Sequence, residues 1–382
     1  VLHIISDTNI GGAGRMVLNF LEHYDRTRLR VHVLCPAGSL LAERCAAYPD
    51  VTVIAMPELP ADESLAPGGL WRQIPAIIGV IRRCRIDLVH THASFAGRLA
   101  ARLAGVSVVY TRHRLEAPDT GRRLPTRLPA RLLSLINNAT CDRVVAVSRT
   151  VRDELLARGV DARKIAVIVN GVDLRKFQPR APVGAPAGRE DDRRPGPPIV
   201  GLVGRLEAEK GHRCFLEAAR LLPPPYDGCR FWIVGEGSLA GELRAYAREL
   251  GIAGRVAFLG LRDDIPDLLD RMDVVVAPSF SEACPLSLVE AMSMGKPCVA
   301  SNLDSIREIV TDGRDGLLVA PGDPGGLAAK IAYLLEHPED ARRLGEAAAR
   351  TAAARFDARV MAEELTLLYN ECIQEKLIKM RK

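Results

Sequence analysis

Over residues 1–175 short runs of Val, Ile and Leu alternate with stretches whose apolar positions recur at helical spacing. The runs 2–6, 31–35, 51–56, 87–91, 106–110, 143–147 and 165–169 predict strands, and 14–24, 70–84, 93–104, 126–138 and 149–158 predict helices between them. Strands that are apolar on both faces and separated by helices predict a parallel sheet covered on both sides. Between Lys176 and Pro198 the periodicity stops. Six prolines and three glycines surround a charged cluster there, which predicts a linker. A second series follows, with strands predicted at 199–203, 230–234, 255–259, 274–278, 297–301 and 316–319. Helices at 212–222, 239–250, 265–270, 286–294, 305–311 and 323–335 separate them, and two more at 338–355 and 358–376 end the pattern. The doubly wound unit is therefore expected twice, at 1–175 and 199–355, joined by 176–198. Two such sheets are expected to face each other across a cleft at their carboxyl ends, where ligands of open α/β sheets bind.

Composition narrows the function. A chain of 382 residues is too long for one ordinary core and suits two domains. Aromatics at 4% argue against stacking platforms, and no motif for reading bases accompanies the arginines, so no nucleic-acid partner is expected. Nine scattered cysteines form no C-x-x-C, which excludes a zinc ribbon and favours a reducing, cytoplasmic setting. No apolar run reaches the roughly 18–20 residues of a membrane span, and Val1–Ser6 reads as a strand rather than a signal peptide.

Charge is uneven along the chain. Residues 1–175 hold 24 Lys/Arg against 16 Asp/Glu, whereas the remainder holds 28 against 31. Between Arg112 and Arg152 nine arginines face three acids. That stretch fits a solvated face, or peripheral contact with an anionic membrane or acceptor on the cytoplasmic side.

Three segments carry candidate chemistry. Gly11-Gly12-Ala13-Gly14 follows the first strand and opens a helix, so its backbone can approach a phosphate or sugar. A dinucleotide fingerprint fails because Val17 stands at the third glycine position. Gly204-Arg205-Leu206-Glu207-Ala208-Glu209-Lys210-Gly211 follows the first strand of the second series. Its two cations and free N–H groups suit a diphosphate leaving group, and it is not a Walker loop. In Ser281–Met292 the glutamates Glu282 and Glu290 stand in a loop and one turn into an apolar helix. Glu282 suits sugar hydroxyls and Glu290 a ribose diol, while the N–H groups of Leu286 and Ser287 start the helix. From spacing alone the pair also fits a helix-start acid and a solvent-facing one.

The Arg-x4-Lys-Gly loop followed by Glu-x7-Glu resembles the family-four (group 1) retaining GT-B glycosyltransferases. Asn170-Gly171-Val172-Asp173 and Gly235-Glu236-Gly237 strengthen the resemblance, which covers nearly the whole chain. It implies two Rossmann-like domains, with a C-terminal helix in 356–382 returning to the first. It implies that Arg205 and Lys210 hold the donor diphosphate, Glu282 the transferred sugar and Glu290 the ribose. Gly11 and Gly12 would line the phosphate side, and the base would lie near Gly235 and Gly237. The family's histidine matches His92, with Arg112 and His113 as further acceptor-side candidates. Where the family often has Gly-Phe-Gly after the first glutamate, this chain has Ala283-Cys284-Pro285, and Pro285 lacks an N–H.

The reaction so implied is transfer of a sugar, from a UDP-sugar or alternatively a GDP-sugar, to a sugar or lipid-linked acceptor with retention of configuration. No D-x-D occurs, so neither a metal nor another cofactor is expected. A nucleotide-sugar epimerase and a non-catalytic sugar-nucleotide sensor are the alternatives. The loops 59–70 and 115–128 are expected to face the acceptor.

Overall fold

Every strand expected from the apolar runs forms, and together they build two wholly parallel sheets. The computed structural model describes residues 1–8, 10–57, 59, 67–92, 94–115, 130–179 and 196–381. Most of the predicted linker, the core of the basic stretch, residues 60–66 of the first acceptor-facing loop and nearly all of the second lie outside these residues.

The first unit comprises Val1–Gly171 and Ala358–Lys382. Its strands are β1 (Leu2–Ile5), β2 (Val31–Pro36), β3 (Val51–Met56), β4 (Leu88–His92), β5 (Ser107–Arg112), β6 (Arg143–Ala146) and β7 (Ile165–Val167), ordered β3-β2-β1-β4-β5-β6-β7. The crossover helices are α1 (Gly12–His23), α2 (Leu40–Ala46), α3 (Pro67–Arg83), α4 (Phe95–Leu103), α5 (Ala130–Thr140) and α6 (Arg149–Ala157). Three of them start on serine caps, where Ser39, Ser94 and Ser148 accept N–H groups that the helix itself cannot satisfy. The short α2 was not among the expected helices. Its seven residues bury only Leu41 and Cys45, too few positions for a helical period to register.

The second unit, Val172–Asp357, repeats the plan. Its strands β8 (Ile199–Val203), β9 (Arg230–Val234), β10 (Val256–Gly260), β11 (Val274–Ala277), β12 (Cys298–Ser301) and β13 (Leu317–Val319) run in the order β10-β9-β8-β11-β12-β13. Around them lie α7 (His212–Leu221), α8 (Ala240–Glu249), α9 (Ile265–Arg271), α10 (Leu286–Ser293), α11 (Asp304–Arg307), α12 (Pro324–Glu336) and α13 (Pro338–Arg355). The chain enters and leaves this unit side by side, since Val172 N–H donates to Phe356 C=O at 2.8 Å. The division therefore falls at Gly171/Val172 rather than after residue 175.

The last helix, α14 (Ala358–Arg381), belongs to the first unit. Met361, Leu365, Leu368 and Tyr369 pack with Phe20, Leu21 and the strand side chains in one core. Each large apolar side chain fully buried there contributes about 1.5–3 kcal/mol relative to exposure.

In both sheets the strand order reverses beside the first strand, so β1/β4 and β8/β11 are switch points. Crossover helices leave such a pair toward opposite faces, and the loops after those strands part to leave a crevice. Every candidate cluster named above follows one of these four strands or the neighbouring β5 or β9.

Candidate active site

In the second unit the site is built on loops at the carboxyl edge of the sheet. The loop after β8 carries Arg205 and Lys210, and the loop between β11 and α10 carries Glu282. Lys210 Nζ donates to Glu282 Oε1 at 2.6 Å, and the same oxygen accepts from Ser279 Oγ at 2.8 Å. Ser305 Oγ, at the start of α11, donates to the Glu282 main-chain carbonyl at 2.5 Å. The pair is sheltered, with Lys210 20% and Glu282 9% exposed at the side chain. In such a place a charge pair keeps its strength against solvent screening. Arg205 is more open, at 41% side-chain exposure, and reaches Glu209 at 3.0 Å. Sequence reasoning missed Ser279 and Ser305, because isolated serines carry no signal until a loop brings them to a carboxylate.

Glu290 lies on α10 and is only 3% exposed, so the solvent-facing alternative does not hold. A carboxylate is buried at considerable desolvation cost, and a helix whose other residues are nearly all apolar would carry none there for packing alone. Pro285 caps α10, and its carbonyl accepts the Leu288 and Val289 N–H groups at 3.1 and 3.3 Å. Leu286 and Ser287 occupy the first turn, where N–H groups have no helical acceptor.

The glycines divide into two kinds. A Cβ on Gly235 (φ +138°) would overlap the Gly204 carbonyl, and one on Gly237 would press on the Leu206 backbone at 2.5–2.6 Å. Both allow the loop after β9 to cross the loop after β8, so an intramolecular reason stands beside their expected place near the base. Gly211 (φ +70°) likewise sits against the Pro278 carbonyl. Gly12, in contrast, opens α1 in the first unit with no described atom within 4 Å of an added Cβ. Gly11 precedes it as the helix cap.

The first unit gathers four histidines on β1, on β4 and just past β5. His3 pairs with His90 across β1 and β4, and His92 ends β4 on the same face. His3 Nδ1 lies 3.1 Å from His92 Nε2, and His92 Nδ1 lies 2.8 Å from His113 Nε2. His90 is held separately, with Nδ1 2.6 Å from the Tyr369 hydroxyl and Nε2 2.6 Å from Thr111 Oγ1. Burial, then the neighbouring imidazoles, hold His3, His90 and His92 well below the usual imidazole range. Burial, with Arg114 beside it, pushes His113 down to about 3. All four are neutral at physiological pH. Both ring nitrogens of His92 are thus already engaged, and a sugar contact through either would displace His3 or His113. His3 escaped the sequence reading, because inside a strand it looks like any other buried position. Arg112 is turned inward, its guanidinium 3.9 Å from Glu154 and its Nε donating to the Arg114 carbonyl at 2.9 Å.

Sets of this kind on two doubly wound units match known proteins over most of the chain. Residues 10–176 match the model of Glycosyltransferase Family 4, and residues 197–337 match that of Glycosyl transferases group 1. The chain belongs to the family 4, group 1 glycosyltransferases. Among similar members is the Escherichia coli UDP-Gal:alpha-D-GlcNAc-diphosphoundecaprenol alpha-1,3-galactosyltransferase, 30% identical over 85% of this chain and 84% of its own. Another is the Mycobacterium tuberculosis glycogen synthase, 31% identical over 76% and 70%. The Anabaena HepE structure in complex with UDP and glucose superposes with a TM-score of 0.80 at 23% identity, covering 97% of this chain and 98% of that one. Membership makes the protein a transferase of the GT-B fold.

Among the described residues one trio, His3, His90 and His92, has ring nitrogens within 4.8 Å of one another, close enough for a metal ion. Their present bonding fits such an ion poorly. Every nitrogen of the trio except His3 Nε2 already has a protein hydrogen-bond partner, which an ion would have to displace. None of the described helices is long and apolar enough to cross a membrane. All nine cysteines are free thiols.

Proposed function

We propose that this glycosyltransferase moves a hexose from a nucleotide diphosphate, UDP in preference to GDP, to an acceptor hydroxyl with retention of configuration. The observation that carries this reading is the Lys210–Glu282 contact at a switch point, with Arg205 on the same loop and the buried Glu290 one turn into the following helix. Arg205 and Lys210 neutralise the diphosphate as it departs, which is where charge develops. Glu282 receives sugar hydroxyls and Glu290 the ribose. The anomeric carbon passes through an oxocarbenium-like state while the acceptor attacks from the face the phosphate leaves, and a phosphate oxygen takes the acceptor proton. The histidine side of the first unit serves the sugar and the acceptor. Binding and positioning supply the rate, and no metal is required.

The acceptor we favour is a lipid-linked or growing cell-surface saccharide, in line with the diphosphoundecaprenol substrate of the Escherichia coli relative. The proposal extends to peripheral attachment to an anionic membrane through the cations of residues 112–152 that other groups do not hold. Arg112, Arg143 and Arg152 are already paired with Glu154, Glu375 and Asp153.

A thermal-shift panel of UDP, GDP, ADP and their sugar conjugates, with and without magnesium, tests the reading. A ligand at 100 times its Kd stabilises the fold by about 2.7 kcal/mol. Stabilisation by uridine nucleotides alone, unaffected by magnesium, is the expected result. No shift with any nucleotide would remove the roles given to Arg205, Lys210 and Glu290.

A further inference from the structure

The second sheet carries a recess at the edge opposite the donor loops. Ile199 and Arg230, which open β8 and β9, line an open cavity of about 400 Å³ together with Trp232, Ala257 and Arg271. Small-molecule sites span roughly 300–1,000 Å³. The recess has a local cause. In register, Trp232 has Gly201 of β8 on one side and Ala257 of β10 on the other, and neither neighbour is large enough to cover an indole. Met272 fills the space above Gly201, and Arg271 just before it stacks its guanidinium 4.7 Å from the centre of the indole. On the Ala257 side β10 is the edge strand, and the cavity opens there.

No carboxylate residue lines this cavity. Arg230 gives one N–H to the Gly254 carbonyl at 2.7 Å, which orients its guanidinium without neutralising it. Arg271 stacks by its face, which leaves its N–H edge for other acceptors. Both arginines are exposed, and neither is paired with a carboxylate among the described residues. Arg255 also borders the cavity, but its guanidinium is turned to the Asp227 and Ala219 carbonyls.

We infer that this cavity is a second, non-catalytic saccharide site, made for a sugar unit that bears a carboxylate. The carboxylate takes guanidinium N–H groups in fork geometry, and the C–H face of the sugar ring packs on the open side of the indole. A bare anion would leave the indole unused. A strand of bases would need further stacking rings, and Trp232 is the only aromatic in the lining. Five residues of β9 separate the cavity from the Gly235 loop, about 17 Å at the usual rise. A sugar held here is therefore not the one that reacts. It is an acidic unit of the same saccharide, tethered while another unit is extended. That role rests on the saccharide-acceptor reading above, whereas binding at the cavity does not.

Tryptophan emission reads the site. Trp71 is the chain's one other tryptophan, so Trp71→Phe leaves Trp232 as the reporter. Trigalacturonate is expected to change that emission saturably, and maltotriose, a neutral trimer, should bind at least about tenfold more weakly. Arg230→Gln should weaken binding of the acidic trimer roughly tenfold or more, the loss of one charge-assisted hydrogen bond. Ala257→Leu fills the cavity with every charge left in place, and should abolish the response. Both variants should keep the parent's Tm and UDP thermal shift. With an acidic acceptor both should raise KM while kcat stays the same; a fall in kcat alone would remove the tethering role. No saturable change with trigalacturonate would overturn the site. So would an equal response to maltotriose or to inorganic phosphate, or a response that persists in Ala257→Leu. A stronger response to a short oligothymidylate would assign the cavity to a nucleic acid instead. A protein that binds trigalacturonate but no nucleotide would sink the donor reading and keep this one.

Discussion

Lys210 and Glu282, 72 residues apart in the chain, meet with the ammonium donating to Oε1 at 2.6 Å, so each of the two groups given to the donor currently neutralises the other. A bound diphosphate would share the lysine, and the carboxylate would turn to the sugar. Lys210→Ala should therefore lower kcat/KM by about 10- to 150-fold, or roughly 1.5–3 kcal/mol. Glu282→Gln should reduce transfer while leaving affinity for the free nucleotide nearly intact. The double variant should lose less than the sum of the two, because the residues touch. Steady-state kinetics with a UDP-sugar check all three. A wild-type rate for Lys210→Ala at saturating donor would remove its assigned role.

Glycines that serve the fold should separate from a glycine that serves the ligand. Gly211→Ala and Gly235→Ala each place a Cβ into a neighbouring carbonyl at positive φ, so both should destabilise by at least about 1–2 kcal/mol. That corresponds to a fall in Tm of several degrees. Gly12→Ala meets no described atom and should melt like the parent. Its loss should appear in KM instead, because the added methyl occupies space the substrate needs. Melting curves set against KM values for the three variants distinguish these cases.

Stability should fall on acidification from neutral pH. His3, His90, His92, His113 and His212 are buried in their neutral forms, with His212 held at about 4 by burial and by Lys210 nearby. Their folded-state values lie below the roughly 6.5 of an unfolded imidazole, so below that pH the unfolded chain binds more protons. The stabilisation is complete above about pH 6.5 and is lost progressively below it, as pH falls to about 4 for His212 and about 3 for His113. The slope approaches about 1.4 kcal/mol per pH unit for each imidazole that titrates. The histidines of the chain interact, so their losses will not add simply. Urea midpoints at pH 7.5, 6.0 and 5.0 should decline in that order. A flat profile would mean the imidazoles are not buried neutral.

Zinc should not stabilise the histidine trio. An ion there would have to break the bonds from His90 to Tyr369 and Thr111, or the His3–His92 bond. Equimolar zinc is expected to leave Tm unchanged, and a chelator should leave transfer unchanged. A clear rise in Tm with zinc, lost in His3→Leu, would show that a metal competes for these nitrogens.

Much of this architecture could be read from the chain alone. Val/Ile-rich runs mark strands buried on both faces, so β3, β8 and β9 appear at their expected bounds and the remaining strands within a few residues. Lys210, Glu282 and Glu290 were visible because charged residues at fixed spacing follow the apolar strands at the βα junctions. What stayed hidden depends on distant segments meeting. Ser279 and Ser305 matter only once β11 and β12 lie side by side, and His3 only once β1 pairs with β4. The intramolecular need for Gly235 was equally invisible, because it concerns a carbonyl 31 residues earlier in the chain, that of Gly204.

The return of α14 to the first unit has a consequence for synthesis. A ribosome releases β1 to β7 first, yet Tyr369, the partner of His90, and Leu365, which covers Phe20, emerge only after the whole second unit has passed. The first unit must therefore wait, with an apolar face uncovered, while the second can close on itself as soon as it is made. Order of folding thus runs opposite to order of translation. Released chains truncated after residue 357 should show a protease-resistant second unit beside a digestible first one, and resistance of the first unit should appear only when 358–381 is present.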